Sequence, residues 1–177
     1  MASPGSTRSR SKGLQAEMGQ RRPFKSRRQE AAVALLRTAS VVTRAFARLV
    51  EPSGLSWAQY NALRIIRGAG RGGLPTLAIR ERMIDEGTTI TRLLDKLEAA
   101  DLIQRERSEP DRRQVRCTVT DAGRRLLDGL DPKVDALDEA VVGFLSPARL
   151  DEFVRVLEEI REVNAERGAA RSARAER

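Results

Sequence analysis

Apolar residues recur along most of this chain at the 3.6-residue period of helices, and near its middle at the two-residue period of strands. Across Arg27–Val50, Ala32, Leu35, Ala39, Val42, Phe46 and Leu49 follow one another at intervals of three and four. Val33, Leu36, Val41 and Ala45 widen that stripe beyond what a single partner surface needs. Glu51-Pro52-Ser53-Gly54 stops the helix. Ser56, with Gln59 three residues on, predicts a capping box for a second helix reaching about Arg67, with Trp57, Tyr60, Leu63 and Ile66 turned inward. Residues 68–73 form a glycine-rich loop, Leu74-Pro75 a very short strand, and Thr76 the cap of a short helix carrying Leu77, Ala78 and Met83. Asp85-Glu86-Gly87 turns the chain into a helix over roughly 86–100, its acidic residues suited to cap that helix. Ile90, Leu93, Leu94 and Leu97 face the core, and Thr88, Thr89, Thr91, Arg92 and Lys96 lie on the other side. Two helices of this length across a tight turn make a helix-turn-helix unit.

The period then switches. Val115, Cys117 and Val119 alternate with Arg116 and Thr118, so residues 103–107 and 114–119 read as two strands around Ser108-Glu109-Pro110-Asp111-Arg112-Arg113. Cys117 points inward as a small core residue. Thr120 caps the following helix, with Gly123 where a glutamate would complete a capping box. Its near-heptad seam is Leu126, Leu127, Leu130, Val134, Leu137, Val141 and Phe144, and Asp131-Pro132 is expected to kink or restart it. Ser146-Pro147 opens a last helix striped by Leu150, Phe153, Val154, Leu157 and Ile160.

Composition narrows the function. Aromatic residues make up only 3% of the chain, so its core must be built from Leu, Ile, Val and Ala, which suits helices. No run of about 18 apolar residues is present to span a membrane. Residues 1–22 lack the apolar stretch of a secretory signal. A single cysteine fits a reducing, cytoplasmic setting. Histidine is absent, which removes the commonest general base and the commonest zinc ligand. With no glycine-rich phosphate loop and no carboxylate cluster in an apolar setting, we expect no enzyme, no catalytic residue, no metal site and no cofactor. The formal charge of +8 is concentrated at one end. Arg8, Arg10, Lys12, Arg21, Arg22, Lys25, Arg27 and Arg28 face Glu17 alone, whereas the rest of the chain is nearly balanced. Residues 1–22 cannot bury enough surface to fold alone and are expected to be disordered or weakly helical. They form either a solubilising tail or a basic arm on phosphates.

A helix with a polar leading edge, an arginine-tipped hairpin and a freshly capped helix, in that order, are the parts of a winged helix-turn-helix. Such a unit puts the helix in a major groove of double-stranded DNA and the wing on an adjacent minor groove or backbone. Thr88, Thr89, Thr91 and Arg92 are the candidates for bases, and Lys96 for phosphate.

Three stretches carry a resemblance to a known family. They are Thr91-Arg92-Leu93-Leu94-Asp95-Lys96-Leu97-Glu98 with Ala100-Asp101-Leu102-Ile103 after it, then Asp111-Arg112-Arg113, then Thr120-Asp121-Ala122-Gly123. In that order and spacing, over roughly residues 30–162, the chain resembles the MarR-family transcriptional regulators. The stretch from Leu55 to Leu63 resembles the family's second helix. The resemblance implies a mainly α fold with a small β-wing: a winged helix-turn-helix plus a helical dimerisation domain. It implies a basic tail at 1–26, an N-terminal dimerisation helix at 27–55, the DNA-binding lobe at 56–119, C-terminal dimerisation helices at 120–164 and a polar tail at 165–177. The wide apolar stripes of the first and last helices agree with the implied homodimer. A repressor on a pseudo-palindromic promoter site, released by a small aromatic anion, is the implied function. Arg113 would take the family's wing position, held by Asp111, with Arg112 and Arg116 as further phosphate contacts. An effector pocket would involve Phe46, Trp57, Tyr60 and Arg64. The redox subgroup's cysteine in the first helix has no counterpart here. The alternatives are a ligand-independent architectural DNA-binding protein and a protein-interaction module using the same dimer fold.

Overall fold

The computed structural model describes residues 13–84, 89–107 and 115–175, with side chains through residue 166. Its elements run α1 (Leu14–Glu17), α2 (Arg27–Val50), α3 (Trp57–Gly68), β1 (Leu74–Pro75), α4 (Thr76–Arg82), α5 (Ile90–Ala99), β2 (Ile103–Arg107), β3 (Val115–Val119), α6 (Asp121–Val142) and α7 (Pro147–Ala175). The chain divides into two units, residues 1–48 and 49–177.

In the first unit, α1 is one helical turn inside the segment expected to be disordered or weakly helical. Glu17 accepts from the Arg37 side chain on α2 at 3.0 Å. Residues 1–12 of the predicted tail lie outside the described residues. The Ser26 hydroxyl accepts from the Gln29 amide at 3.1 Å, satisfying an amide that the first turn of α2 leaves without a helical partner. The stripe predicted for α2 is present but largely bare. Leu35, Leu36 and Val41 are exposed, Leu36 to 71%.

In the second unit, α3 opens on the full capping box. Gln59 donates its amide to the Ser56 hydroxyl at 3.2 Å, and its side-chain oxygen accepts from the Ser56 amide at 2.8 Å. Tyr60, Ala62, Leu63 and Ile66 on α3 are buried, as are Ile79 on α4, Leu93, Leu94 and Leu97 on α5, and Leu127, Leu130 and Val134 on α6. Trp57 is half-buried. The sheet is antiparallel in the order β1-β3-β2. Its register sets Leu74 against Cys117 and Ile103 against Val119. Cys117 is fully buried, and desolvation pushes its thiol pKa up. It therefore packs as a small apolar residue. No helix among the described residues is long and apolar enough to cross a membrane.

Four local expectations need correction. Thr76 does not cap α4. The capping position falls on Pro75, and the Thr76 hydroxyl donates to the Val115 carbonyl at 3.4 Å. Leu77 is 57% exposed, and α4 turns Ile79 to the core instead. Pro132 does not restart α6, which is continuous from Asp121 to Val142. The Asp131 carboxylate next to the proline is gripped by Arg67 of α3 at 2.8 and 2.9 Å. Finally, α7 continues as helix to Ala175, through most of the predicted polar tail.

Candidate nucleic-acid interface

The α5 helix is built from the strongest amphipathic pattern in the second unit. Leu93, Leu94 and Leu97 enter the core, while Thr91, Arg92, Asp95, Lys96 and Glu98 are exposed. Thr89 precedes the helix in an extended conformation, with φ −70° and ψ 91°, and makes no side-chain cap bond. The helix therefore begins at Ile90, later than the 86–100 read from the sequence, and Thr89 stands at its leading edge rather than within its first turn. Thr89, Arg92 and Lys96 follow at intervals of three and four, one ridge on the solvent face. Thr88 and the predicted Asp85-Glu86-Gly87 turn lie outside the described residues, which resume at Thr89.

The wing is represented by its two strands. Their last paired residues are Arg107 and Val115. The tip, with Asp111, Arg112 and Arg113, lies outside the described residues. Arg116 is half-buried, and its guanidinium donates to the carbonyls of Gly72 at 2.9 Å and Gly73 at 3.1 Å. Expected at phosphate, it is committed instead to holding the 70–73 turn against β3. Gly73 permits that closeness. It has φ 62°, and a Cβ there would lie 2.7 Å from the Cys117 carbonyl oxygen.

Two ion-pair groups were not singled out from the sequence. Arg105 of β2 donates from Nε to Glu98 at 2.8 Å and from a terminal nitrogen to Asp95 at 2.6 Å, tying the wing strand to α5. The Arg105 guanidinium holds the Glu98 carboxyl below its usual pKa. Arg67 joins α3 to α6 through Asp131 and, at 3.2 Å, Asp128. Its hydrogen bonds hold the Asp131 carboxyl below its ordinary pKa, against a smaller upward pull from burial. The available signal in each was an acidic pair at i and i+3, Asp95 with Glu98 and Asp128 with Asp131, which periodicity alone does not match to an arginine on another element.

The effector candidates are divided. Trp57, Tyr60 and Arg64 come together on successive turns of α3. The two rings are 5.6 Å apart at 30°, and the Arg64 guanidinium lies 5.8 Å from the Tyr60 ring centre. Phe46 is buried but belongs to the other unit. Tyr60 is fully buried, and among the described residues its hydroxyl meets no partner at hydrogen-bonding geometry. Burial raises its pKa, and the nearby positive charge of Arg64 offsets only part of that. A ligand stacking on this ring would have to displace whatever covers it. Among the described residues, no three acidic or thiol side chains converge as metal ligands.

Comparison with known proteins matches this arrangement to one family. The MarR family model covers residues 55–115, from the approach to α3 through the wing. The HTH-type transcriptional regulator TtmR of Methylorubrum extorquens (strain PA1) is 34% identical over 117 residues, which is 66% of this chain and 56% of that protein. The chain thus spans little more than half of that relative's length. A MarR transcription factor from Planctomyces limnophilus is 35% identical in a solved structure, with a TM-score of 0.59 over 77% of this chain and 98% of that one. The S. aureus MepR-DNA complex matches in fold with a TM-score of 0.67 at 21% identity, over 74% of this chain and 96% of that one. Shared sequence across the whole length of the Planctomyces protein, on a common fold, makes this chain a member of the MarR family of transcriptional regulators, and so a transcription regulator rather than an enzyme.

Proposed function

We propose that the chain is a cytoplasmic, sequence-specific DNA-binding repressor that works as a homodimer on a pseudo-palindromic promoter site. The observation that carries this reading is the solvent ridge of Thr89, Arg92 and Lys96 on α5, beside a wing strand tied to the same helix. Threonine and arginine at the leading edge suit base edges, arginine through a forked contact to guanine, and Lys96 one turn on suits phosphate. The MepR relative was solved on DNA with the same fold.

The dimer reading is supported by α7. Phe153, Val156, Ile160 and Val163 recur at intervals of three, four and three, and each is more than a third exposed. A seam of that period asks for a second helix. Two copies related by a twofold axis would then present two α5 helices to two half-sites. Occupying the promoter is the simplest route to repression. The Trp57–Tyr60–Arg64 stack supports release by a small aromatic anion. On this reading Thr88 and the wing-tip residues Asp111, Arg112 and Arg113 belong to the interface, with Thr91 at its edge.

The test is selection of duplexes from a random-sequence pool by the full-length protein, followed by titration of the selected duplex. Arg92→Ala should weaken that binding by about tenfold or more, the worth of a forked arginine–base contact. A protein that selects no sequence, or an Arg92→Ala variant that binds the selected duplex unchanged, overturns the reading. Raised thermal stability with aryl carboxylates, lost in Arg64→Ala, would support the effector role.

A further inference from the structure

We propose that Arg105 is a positioning residue for DNA recognition: by bonding Asp95 and Glu98 together it fixes the recognition helix α5 against the wing strand β2, without itself touching DNA. The proposal rests on the DNA-binding reading above and adds to it the residue that sets the helix–wing angle.

Strand alternation puts Arg105 on the same face of β2 as Ile103, which is buried. A cation on the inner side of a strand is costly unless it is paired. Arg105 is paired twice, to Glu98 at 2.8 Å and Asp95 at 2.6 Å, and its side chain is only 24% exposed. Asp95 and Glu98 stand at i and i+3, so they share one face of α5, and the planar fork of a guanidinium spans them where a lysine ammonium would not. An exposed ion pair within one element contributes little. This one joins two consecutive elements whose turn is bonded only at the C-terminal end of α5, through the Leu102 amide to the Leu97 carbonyl at 3.0 Å, and a single end leaves a helix some freedom to rotate. Directional bonds on its outer side remove that freedom. A rotation of α5 would move Thr89 and Arg92 together, because both are set by its axis. Arg105 also keeps Asp95 engaged, three residues from Arg92, where a released carboxylate would compete with DNA for that arginine.

The experiment uses full-length protein, the duplex selected by the wild type and a random-sequence duplex, each titrated at several salt concentrations. Arg105→Gln should lose roughly tenfold or more in affinity for the selected duplex. Its random-duplex affinity and the slope of its salt dependence should stay as in wild type. The Asp95→Asn/Glu98→Gln variant should also lose affinity for the selected duplex relative to the random one, and adding Arg105→Gln to it should cost that ratio nothing further, since all three changes break one device. If Arg105→Gln does not fold, the Asp95→Asn/Glu98→Gln variant carries the same expectation alone. Binding of the selected duplex within about twofold of wild type overturns the proposal. So does a salt slope lowered by about 0.9, which marks a direct phosphate contact. A wild type that selects no duplex overturns the DNA-binding reading itself, whereas selective binding with an indifferent Arg105→Gln overturns only the positioning role.

Discussion

A side chain at position 123 has nowhere to go. A Cβ there would overlap the Leu102 carbonyl oxygen and lie 2.9 Å from the Val119 side chain. The surrounding turn is knit by Thr120, whose hydroxyl donates to the Asp101 carbonyl at 2.6 Å and accepts from the Gly123 amide at 3.0 Å. Gly123→Ala must therefore push α6 away from the turn after α5. It should lower stability by about 2 kcal/mol or more, seen as an earlier urea midpoint with an unchanged slope. Asp101 shows the opposite case. It is left-handed, with φ 57°, at the end of α5. Asp101→Gly keeps the carbonyl that Thr120 uses and removes the strain. Glycine's larger entropy loss returns part of the gain, so a rise of about 0.5–1 kcal/mol is expected in the same titration. The sequence showed that Thr120 is a cap. It did not show why the third helical position is glycine, because the reason is a carbonyl brought there by the turn.

Among the elements, α6 shows what local rules miss. A proline inside a helix removes one backbone bond and typically costs about 3 kcal/mol, hence the expected restart. The helix nonetheless runs unbroken from Asp121 to Val142, and beside the proline Arg67, in an element far earlier in the chain, holds Asp131. Periodicity located both helices and the buried residues Tyr60, Leu63, Ile66, Leu127, Leu130 and Val134, since it reports one element at a time, but the predicted seam ran on to Phe144, which lies past the end of α6 and is 67% exposed. Periodicity is silent about a partner on another helix. The folded pKa of Asp131 is depressed below its unfolded value of about 3.9. The stabilisation is therefore fully present above that unfolded value and is lost as pH falls through the folded one. The pair is partly exposed, at 27% and 35%, so solvent screens it and about 1 kcal/mol is a fair size at neutral pH. Arg67→Ala should accordingly be less stable than wild type at neutral pH, and the gap should narrow on acidification below about pH 4. A gap that stays constant down the acid limb would show that Arg67 acts by packing alone.

For the whole molecule, the bare apolar seam of α7 is the feature with the largest consequence. Phe153 and Ile160 are 41% and 37% exposed in one copy of the chain, so charging them should not disturb that copy's own core. If α7 forms the proposed dimer seam, the wild type should sediment as a dimer and Phe153→Glu with Ile160→Glu as a folded monomer with helical content retained. A double variant with the wild-type mass would remove α7 from the interface. What was legible in the sequence is that the apolar stripes at both ends are wider than one partner surface needs, and in α2 and α7 much of that surface is indeed exposed. The solvent ridge of α5 was legible as well, since it is the complement of the leucine stripe. The Arg105 brace and the turn held by Arg116 were not, because each depends on which face of a strand meets which neighbour once the sheet has formed.

The sequence contains one tryptophan and one tyrosine, and the fold sets them 5.6 Å apart at the start of α3. All near-ultraviolet emission therefore comes from one place. At this separation light absorbed by Tyr60 passes to Trp57, so the colour and intensity of a single indole report on the N-terminal turns of α3 alone. If an aromatic anion binds beside Arg64, or this helix tilts on DNA, unlabelled protein should show it, because each copy of the chain carries one such pair.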